Sequence, residues 1–297
     1  MKKGKIVIAG GTGFIGQSFT KRFEEEGYEV VHISRRAEHV NWEDRNGMVA
    51  ALEGADMLIN LAGRTVDCRY NEKNKQEILL SRTKTTSLLG EALLECKQAP
   101  ELWLNSSTAT IYRHAEDRAM TEANGEIGTG FSVSVAKAWE EMFFSFDLPN
   151  TRQVALRIAI VLGSNGGVIA PYLNLVQYGL GGYQGNGKQM FSWIHVKDLF
   201  RIVQFVNEHK ELSGAVNCAA PNPVTNKELM RGFRKVTQRK FGLPMPKWLL
   251  KLGAFMIGTE TELVLKSRWV LPERLLKSGF EFKYPLLQKA LEDVVPH

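Results

Sequence analysis

The chain has 297 residues, of which 44% are hydrophobic and 24% charged, and its formal net charge is +6. This composition is typical of a globular protein with enough apolar material for a sizeable core. The Lys and Arg residues are spread through the sequence without a nucleic-acid-binding motif, so nucleic acid is not an expected partner.

Short β-branched runs alternate with longer helical patterns over residues 1–163. In chain order, the pattern predicts strands at 5–9, 29–33, 57–62, 102–107 and within 152–163, and helices at 14–27, 72–96 and 132–146. This alternation predicts an α/β fold, a doubly wound parallel sheet with helices on both faces. We assign residues 1–163 to this first domain.

The regular alternation of predicted strands and helices ends after Gly163. The later predicted segments are loops at 164–168 and 179–189, a strand and helix at 191–208, an apolar helix within 243–258 and short helices at 267–295. Asp198 is a candidate N-cap, and Gly279 marks a turn. We assign 164–297 mainly to a smaller, partly interleaved C-terminal substrate domain at the carboxyl edge of the sheet, with 191–240 returning to the first domain.

The sequence IAGGTGFIGQ lies directly between the first predicted strand and the first predicted helix. In that context Gly10 permits a tight turn, Gly13 lets the backbone approach a pyrophosphate, and Gly16 lets helix and strand pack closely. The helix N-terminus then offers unpaired N–H groups to the phosphates. We therefore predict a Rossmann-like dinucleotide-binding domain. Its candidate loop residues are Gly10, Thr12, Gly13, Phe14, Ile15 and Gly16.

The second predicted strand ends in HISRR, where an NAD site usually has an acidic residue for the ribose hydroxyls. Ser34, Arg35 and Arg36 occupy this region instead. Guanidinium groups suit a 2′-phosphate, which they hold by charge-assisted hydrogen bonds. We therefore expect NADP(H) rather than NAD as the cofactor; the alternative is a pair of solvated arginines at a strand end.

Four motifs, IAGGTGFIGQ, INLAG, NSSTATIY and FSWIHVKDL, follow one another at spacings that resemble the extended short-chain dehydrogenases/reductases, the nucleotide-sugar epimerase and dehydratase superfamily. The tail SRWVLPERLLKSGFEFKYP is similar to that of an atypical subgroup, the epimerase family proteins. In that subgroup a segment of the DUF1731 type, here at about 243–295, ends the chain. The resemblance covers essentially the whole sequence.

The resemblance implies roles for individual residues. Placed beside the cofactor are Leu61, Ala62, Gly63, Ser106 and Arg157, the last as an anchor for a phosphate or substrate. Thr108 takes the place of the catalytic serine or threonine. Lys137 takes the place of the lysine that holds the nicotinamide ribose and lowers the pKa of a neighbouring tyrosine.

The family's Tyr-x-x-x-Lys motif reads Val133 to Lys137, so its tyrosine is missing. A phenol beside an ammonium group can protonate the alkoxide that forms when a carbonyl is reduced, and valine cannot. Other candidate proton donors are Tyr112, His114, His195 and Tyr183, and for each of them a structural or surface role is the favoured alternative. We place Tyr112 with Thr108 and Lys137 in the candidate catalytic set.

Two functions remain open on this reading. One is an NADP(H)-dependent oxidoreductase or epimerase that acts on an unidentified carbonyl or alcohol. The other is a non-catalytic NADP(H)-binding sensor or regulator that has lost the tyrosine. Val133 favours the sensor, whereas the loop at 179–189 and the full C-terminal tail favour the enzyme. The resemblance also implies a homodimer, formed through the helices at 72–96 and 132–146.

The three cysteines, Cys68, Cys96 and Cys218, are far apart and form no Cys-x-x-Cys pair. Neither a disulfide framework nor a metal site is expected, and a reducing compartment is. The N-terminal apolar run is too short for a signal peptide, and no segment approaches the roughly 18 apolar residues of a membrane span. We expect a cytoplasmic protein without a membrane partner.

Overall fold

The structure, a computed structural model, describes residues 3–250 and 265–295. Twelve strands lie in this part of the chain. They are β1 (Lys5–Ala9), β2 (Glu29–Ser34), β3 (Val40–Asn41), β4 (Met57–Asn60), β5 (Leu102–Thr108), β6 (Arg152–Ile158), β7 (Ile160–Gly163), β8 (Gly166–Gly167), β9 (Met190–Phe191), β10 (Trp193–His195), β11 (Gly214–Cys218) and β12 (Val224–Thr225).

Nine α-helices are defined in the same residues. They are α1 (Phe14–Glu25), α2 (Arg45–Leu52), α3 (Glu72–Glu95), α4 (Phe131–Phe144), α5 (Ile169–Gln177), α6 (Val196–Glu208), α7 (Asn226–Val236), α8 (Glu273–Lys277) and α9 (Leu287–Val294). None of the helices in the described residues is long and apolar enough to cross a membrane.

Seven parallel strands form the main sheet, in the order β3-β2-β1-β4-β5-β6-β11. Alternate side chains of β1 supply two cores, because successive residues of a strand point to opposite faces. Ile6 and Ile8 pack with α1 and α6 on one face. Val7 and Ala9 pack with α2, α3 and α4 on the other. The predicted doubly wound parallel sheet is therefore confirmed.

The single strand predicted within 152–163 is two strands, β6 and β7, in different sheets. The chain changes partners at Ala159, whose N–H donates to the Cys218 carbonyl at 3.0 Å. The next strand, β7, pairs with β10 and β8. The residues from Ile158 to Leu162 are all apolar, so the sequence pattern does not show the break at Ala159.

A third core lies beyond this break. It joins α5, α7 and α9 with β7 and β10, through Phe233 and Leu291 among others. Within 191–240, β11 belongs to the main sheet and α6 packs against it, whereas α7 packs in the third core. Leu275 of α8 and Phe280 pack in the core that contains Ile6 and Ile8. The helix predicted at 243–258 lies partly outside the described residues.

The prediction that Asp198 caps α6 was wrong, because the N-cap residue is His195. The Nδ1 atom of His195 accepts the Lys197 backbone N–H at 3.1 Å. Asp198 is fully buried, and its carboxylate accepts the backbone N–H groups of Lys283 and Tyr284 at 2.9 and 2.8 Å. This carboxylate therefore holds the tail against α6, where the Tyr284 ring stacks on His195.

Burial lowers the pKa of His195 from 6.5 to about 4. The unfolded chain regains the ordinary pKa, so it binds more protons than the folded protein between pH 6.5 and 4. We therefore predict that the free energy of unfolding falls as the pH is lowered through this window, by about 3 kcal/mol in total.

The variant His195→Asn keeps a side-chain acceptor at the N-cap but cannot titrate. Urea denaturation at several pH values should show a smaller loss of stability in the variant than in the wild-type protein between pH 6.5 and 4. Parallel pH profiles for the two proteins would contradict the assignment.

Candidate functional site

The glycine loop lies at the carboxyl edge of the main sheet. Gly10 has a φ of 77°, and a Cβ added to it would lie 2.8 Å from the Ala62 backbone nitrogen. A Cβ on Gly16 would lie 2.6 Å from the Gly11 Cα. Both positions therefore require glycine for the packing of the chain itself.

Gly13 differs from these two glycines. A Cβ added to it would meet the Gly10 carbonyl oxygen at 3.5 Å, an ordinary contact. Gly13 is the N-cap residue of α1, and no side chain in the described residues caps that helix. The space beside Gly13 faces the exposed N–H groups of the first turn, which is where an anion binds.

The remaining predicted loop residues have distinct surroundings. The Thr12 carbonyl accepts the Gln17 side chain at 2.9 Å. Phe14 lies against the β7–β8 turn, where a Cβ on Gly163 would meet its ring at 2.6 Å. Ile15 lines a cavity at the carboxyl ends of β4, β5 and β6. The loop thus connects the main sheet, the second sheet and the cavity.

Ser34, Arg35 and Arg36 follow one another at the carboxyl end of β2, and their environments differ. The Ser34 hydroxyl shares a hydrogen bond with His39 Nδ1 at 2.8 Å and accepts the Arg36 N–H at 3.0 Å, so it shapes the turn. Arg36 lies 3.7 Å from Glu38 in an exposed ion pair. Arg35 is exposed and has no ion-pair partner among the described residues, which leaves its charge available to a ligand.

A cavity of about 300 Å³ opens beside the loop, between the carboxyl ends of β4, β5 and β6 and the helices α3 and α4. Most of its lining is apolar. The lining residues are Ile15, Leu61, Gly63, Val66, Tyr70, Ile78, Arg82, Ser106, Ser107, Thr108, Thr110, Phe131, Ser132, Val135, Ala136, Trp139, Ile158, Ala159, Val161 and Arg268. Its size is at the lower end of the range for small-molecule pockets, about 300–1,000 Å³.

Several predicted residues meet at this cavity. Leu61 and Gly63 line it, and Ala62 lies buried under Gly10. Thr108 lines it at the end of β5, where its Oγ accepts the Thr110 N–H at 3.1 Å. Accepting that bond leaves the Thr108 hydroxyl proton available to a ligand. Ser106 also lines the cavity.

Lys137 does not line the cavity. The α4 residues that face it are Phe131, Ser132, Val135, Ala136 and Trp139. Val133 is buried in the core, and Lys137 is exposed to solvent. The cavity-facing pairs spaced four residues apart are Phe131 with Val135, Ser132 with Ala136, and Val135 with Trp139, and none of them contains a tyrosine or a lysine. This location does not fit the predicted role of Lys137, because its side chain lies on another face of the helix.

Tyr112 lies in the core outside the cavity lining. Its hydroxyl donates to Asn217 Oδ1 at 2.9 Å and accepts from Arg157 Nη1 at 2.8 Å. Burial raises the pKa of Tyr112, although the Arg157 charge opposes the shift. A phenol that is saturated with hydrogen bonds and kept protonated does not fit the predicted role of proton donor to a substrate.

Arg157 likewise lies below the cavity. It forms a two-point ion pair with Glu140, with Nε–Oε1 and Nη2–Oε2 distances of 2.9 and 2.8 Å. Burial disfavours its charge, yet the bonds to Glu140 raise the pKa of Arg157 above its ordinary value. The Ser107 hydroxyl donates to the same carboxylate at 2.5 Å. These bonds tie β5, β6 and α4 together, and they occupy the guanidinium that was predicted to anchor a phosphate.

Trp139 is positioned by a buried polar network, which the sequence analysis did not predict. Asn60 Nδ2 donates to Asn105 Oδ1 and Thr86 Oγ1 at 2.6 and 3.1 Å, and Asn60 Oδ1 accepts the Ala62 N–H. Trp139 Nε1 donates to Thr86 Oγ1 at 3.0 Å. The sequence signal for this network is the asparagine at the end of each apolar run, MLIN and LWLN, since buried polar groups need hydrogen-bond partners.

Three cavity residues were also missed. Tyr70 packs edge-on against Phe131, with ring centroids 4.9 Å apart. The Arg82 guanidinium lies 5.1 Å from the Trp139 ring centroid. Arg268 is only 8% exposed, and its Nε donates to Thr110 Oγ1 at 3.0 Å. Tyr70 and Arg82 lie outside the quoted motifs, and Arg268 lies in the tail SRWVLPERLLKSGFEFKYP, where the sequence alone does not indicate a place in the cavity. Only the fold identifies the three as cavity residues.

The C-terminal segment places Arg268 in the cavity through backbone hydrogen bonds on both sides. The Arg268 N–H donates to the Met190 carbonyl at 2.8 Å, and its carbonyl accepts the Ser192 hydroxyl. The adjacent Trp269 carbonyl accepts the Met120 N–H at 2.7 Å. The loop residue His114 contacts this segment rather than the cavity, because its Nδ1 accepts the Ser267 N–H.

Comparison with known proteins is consistent with these features. The chain is 31% identical to the epimerase family protein YfhF of Bacillus subtilis, over 98% of this chain and 97% of the relative. A crystal structure of the human epimerase family protein SDR39U1 (isoform 2) with NADPH superposes with a TM-score of 0.89, at 30% identity over 98% of each chain. A nucleoside-diphosphate sugar epimerase from Corynebacterium glutamicum matches at 26% identity with a TM-score of 0.79, over 98% of this chain and 58% of the other.

Two family models match the sequence itself. The model of the domain of unknown function DUF1731 covers residues 245–294, which confirms the predicted nature of the tail. The model of the NAD dependent epimerase/dehydratase family covers residues 6–219 and so includes the glycine loop and most of the cavity. The chain therefore belongs to the NAD dependent epimerase/dehydratase family.

Proposed function

We propose that the protein is an NADP(H)-dependent oxidoreductase or epimerase that acts on a small carbonyl or alcohol. The observation that carries this proposal is the cavity beside the glycine loop, which is apolar but has hydroxyl groups at the carboxyl end of β5. In open α/β sheets this edge is where ligands bind. A site that only sensed a dinucleotide would have no need of a second, shaped cavity.

The cofactor assignment rests on three features. Gly13 leaves space at the N-terminus of α1 that the packing of the chain does not need. Arg35 presents an uncompensated charge where the adenosine ribose lies in Rossmann-type folds. The human relative SDR39U1 was crystallised with NADPH. Leu61 and Gly63 continue the same surface towards the cavity.

The chain's own residues supply orientation, water exclusion and a proton. A nicotinamide ring bound there would give or take the hydride. The Thr108 and Ser106 hydroxyls can donate to the oxygen of a substrate carbonyl. Ile15, Val135 and Ile158 line the walls and exclude water, which strengthens those hydrogen bonds.

We infer that Tyr70 replaces the missing tyrosine as the proton donor. It lines the cavity, and its phenol interacts electrostatically with the Arg82 guanidinium. A cation beside a phenol stabilises the phenolate, and the same effect underlies a tyrosine–lysine pair. Ser132 and Ala136, which occupy the cavity-facing turn of α4, offer no comparable acid.

A non-catalytic NADP(H) sensor is the second candidate function, and a specific observation favours it. The turn of α4 that faces the cavity carries Ser132 and Ala136, so both members of the usual tyrosine–lysine pair are absent from it. The two functions differ in turnover. A sensor binds NADPH but does not oxidise it when a carbonyl compound is added. An enzyme binds NADPH and oxidises it when its carbonyl substrate is present.

We predict that Gly13→Ala leaves the free energy of unfolding within about 1 kcal/mol of wild type but weakens NADPH binding at least tenfold, because the new methyl group fills space meant for the pyrophosphate. Gly10→Ala is the contrasting variant, since it would clash with backbone and destabilise the fold. Urea denaturation and fluorescence titration measure both effects. Unchanged NADPH affinity in Gly13→Ala would place the dinucleotide elsewhere.

We predict that Arg35→Ala weakens NADPH binding about tenfold and leaves NADH binding unchanged, because only NADPH carries the 2′-phosphate. Lys21→Ala, which removes an exposed cation from α1, is the matched control. Titration of each variant with both nucleotides at one salt concentration gives the comparison. Equal weakening of the two nucleotides would exclude Arg35 as the 2′-phosphate ligand.

We predict that Tyr70→Phe lowers NADPH-dependent carbonyl reduction at least a hundredfold without changing NADPH affinity. Tyr178→Phe, at an exposed tyrosine, is the control. The assay follows NADPH absorbance with a panel of aldehydes, ketones and 2-oxo acids. Tight NADPH binding with no turnover by the wild-type protein would favour the sensor, and full activity of Tyr70→Phe would exclude Tyr70 as the donor.

A further inference from the structure

Two histidines form a hydrogen-bonded chain that runs from α1 to the turn after β2. His32 Nε2 lies 2.8 Å from Thr20 Oγ1 of α1, and His32 Nδ1 lies 3.3 Å from His39 Nε2. The chain ends at Ser34, whose Oγ lies 2.8 Å from His39 Nδ1. All four ring nitrogens of the two histidines are therefore engaged within the protein.

The direction of each hydrogen bond follows from the Thr20 end of the chain. Thr20 has one hydroxyl proton, which it donates to the Gly16 carbonyl at 2.9 Å, so its oxygen accepts from His32 Nε2. His32 Nδ1 of the neutral ring then accepts from His39 Nε2, and His39 Nδ1 accepts from the Ser34 hydroxyl. With both rings neutral, only this arrangement gives each bond one proton.

The chain lies where the adenosine end of a dinucleotide binds in Rossmann-type folds. A Cβ added to Gly11 would lie 2.6 Å from the His32 ring, so this ring packs against the glycine loop. Ser34 ends β2, the strand whose carboxyl end meets the ribose 2′ position. Its oxygen also accepts the Arg36 N–H at 3.0 Å, in the turn that carries Arg35. One hydroxyl thus joins the histidine pair to the arginines predicted to bind a 2′-phosphate.

The charges that face the histidine pair come from α1 and from the turn after β2. Burial lowers the pKa of His32, and the neighbouring His39 and Arg36 lower it further. Glu24 of α1 opposes this shift. Glu38, in the turn, lies 3.7 Å from Arg36. A phosphate dianion at the same turn would favour a protonated pair, because an opposite charge nearby stabilises the charged form of the imidazole.

Resting on the proposed function, we propose that His39 is a positioning residue for the 2′-phosphate of NADP(H). When the phosphate binds, the histidine pair takes up one proton from solvent, and the Ser34 hydroxyl is released towards the phosphate. The added proton resides at His39 Nδ1, because His32 Nε2 already donates to Thr20 and the bond between the two rings holds one proton.

Protonation at Nδ1 reverses the hydrogen bond between His39 and Ser34. His39 then donates, and the Ser34 oxygen accepts from His39 and from the Arg36 N–H. The Ser34 O–H bond stays intact, and its proton is free to point to a phosphate oxygen. NADH has no 2′-phosphate, so it neither draws a proton to the pair nor gains this hydrogen bond. The pair therefore adds to the preference for NADPH over NADH, and adds more as the pH falls.

The experiment is a fluorescence titration of the wild-type protein and His39→Asn with NADPH and NADH at about pH 8 and about pH 6. Asparagine keeps an acceptor for the Ser34 hydroxyl but cannot titrate. We expect the variant to bind NADPH within about threefold of wild type at the higher pH and about tenfold more weakly at the lower pH. NADH affinity should match wild type at both. A ratio of NADPH affinities that does not change with pH would overturn the proposal.

Two further variants sharpen the comparison. His209→Asn, at the C-cap of α6, is the matched control and should bind both nucleotides as wild type does. Ser34→Ala should lose NADPH affinity relative to wild type as the pH falls, as His39→Asn does. Wild-type pH dependence in Ser34→Ala would show that the proton acts without the hydroxyl, and would overturn the positioning role. The 2′-phosphate itself gains a proton near about pH 6, which cancels because the proteins are compared at one pH.

Calorimetry of the wild-type protein gives a test that needs no variant. Titration near neutral pH in two buffers of different ionisation enthalpy measures the protons taken up on binding. We expect net uptake with NADPH and none with NADH; proton release with NADPH, or equal uptake with both, would overturn the proposal. Failure to bind NADPH at all would refute the proposed function as well. Normal NADPH binding without proton uptake refutes only the role of His39.

Discussion

The site depends on the close approach of two backbone turns at the carboxyl edge of the sheet. Gly10, at a φ of 77°, leaves 2.8 Å between an added Cβ and the backbone of Ala62. The parallel pairing of β1 with β4 brings these turns together, and Asn60 holds the second turn by accepting the Ala62 N–H. Any side chain at Gly10 would push the turns apart, and with them the loop and the wall of the cavity.

The polar groups beneath the cavity are hydrogen-bonded to one another. Glu140 neutralises Arg157 and accepts from Ser107, and Tyr112 completes the set with bonds to Arg157 and Asn217. Networks of this kind stabilise one arrangement of the surrounding elements, because leaving any member unpaired is costly. They hold the elements that form the floor of the cavity in one arrangement.

The tail is part of the site rather than an appendage. Its backbone runs between the loop at Met120 and the strand at Met190, and Asp198 accepts two of its N–H groups from the other side. This course brings Arg268 to residues that precede it by more than half the chain. The DUF1731 segment thus contributes a charge to a cavity whose other walls belong to the epimerase/dehydratase match.

The amino-acid sequence by itself predicted five of the seven strands of the main sheet and the glycine loop, because periodicity and turn chemistry depend on neighbours a few residues apart. It did not predict β3 or β11. Only the tertiary structure decided which way each side chain points and which residue it pairs with. The same helical pattern leaves Lys137 in solvent and Ser132 in the cavity, and the guanidinium of Arg157 is paired with Glu140. Arg82 and Arg268 line one cavity because distant segments of the chain pack together, and a local sequence pattern cannot show this.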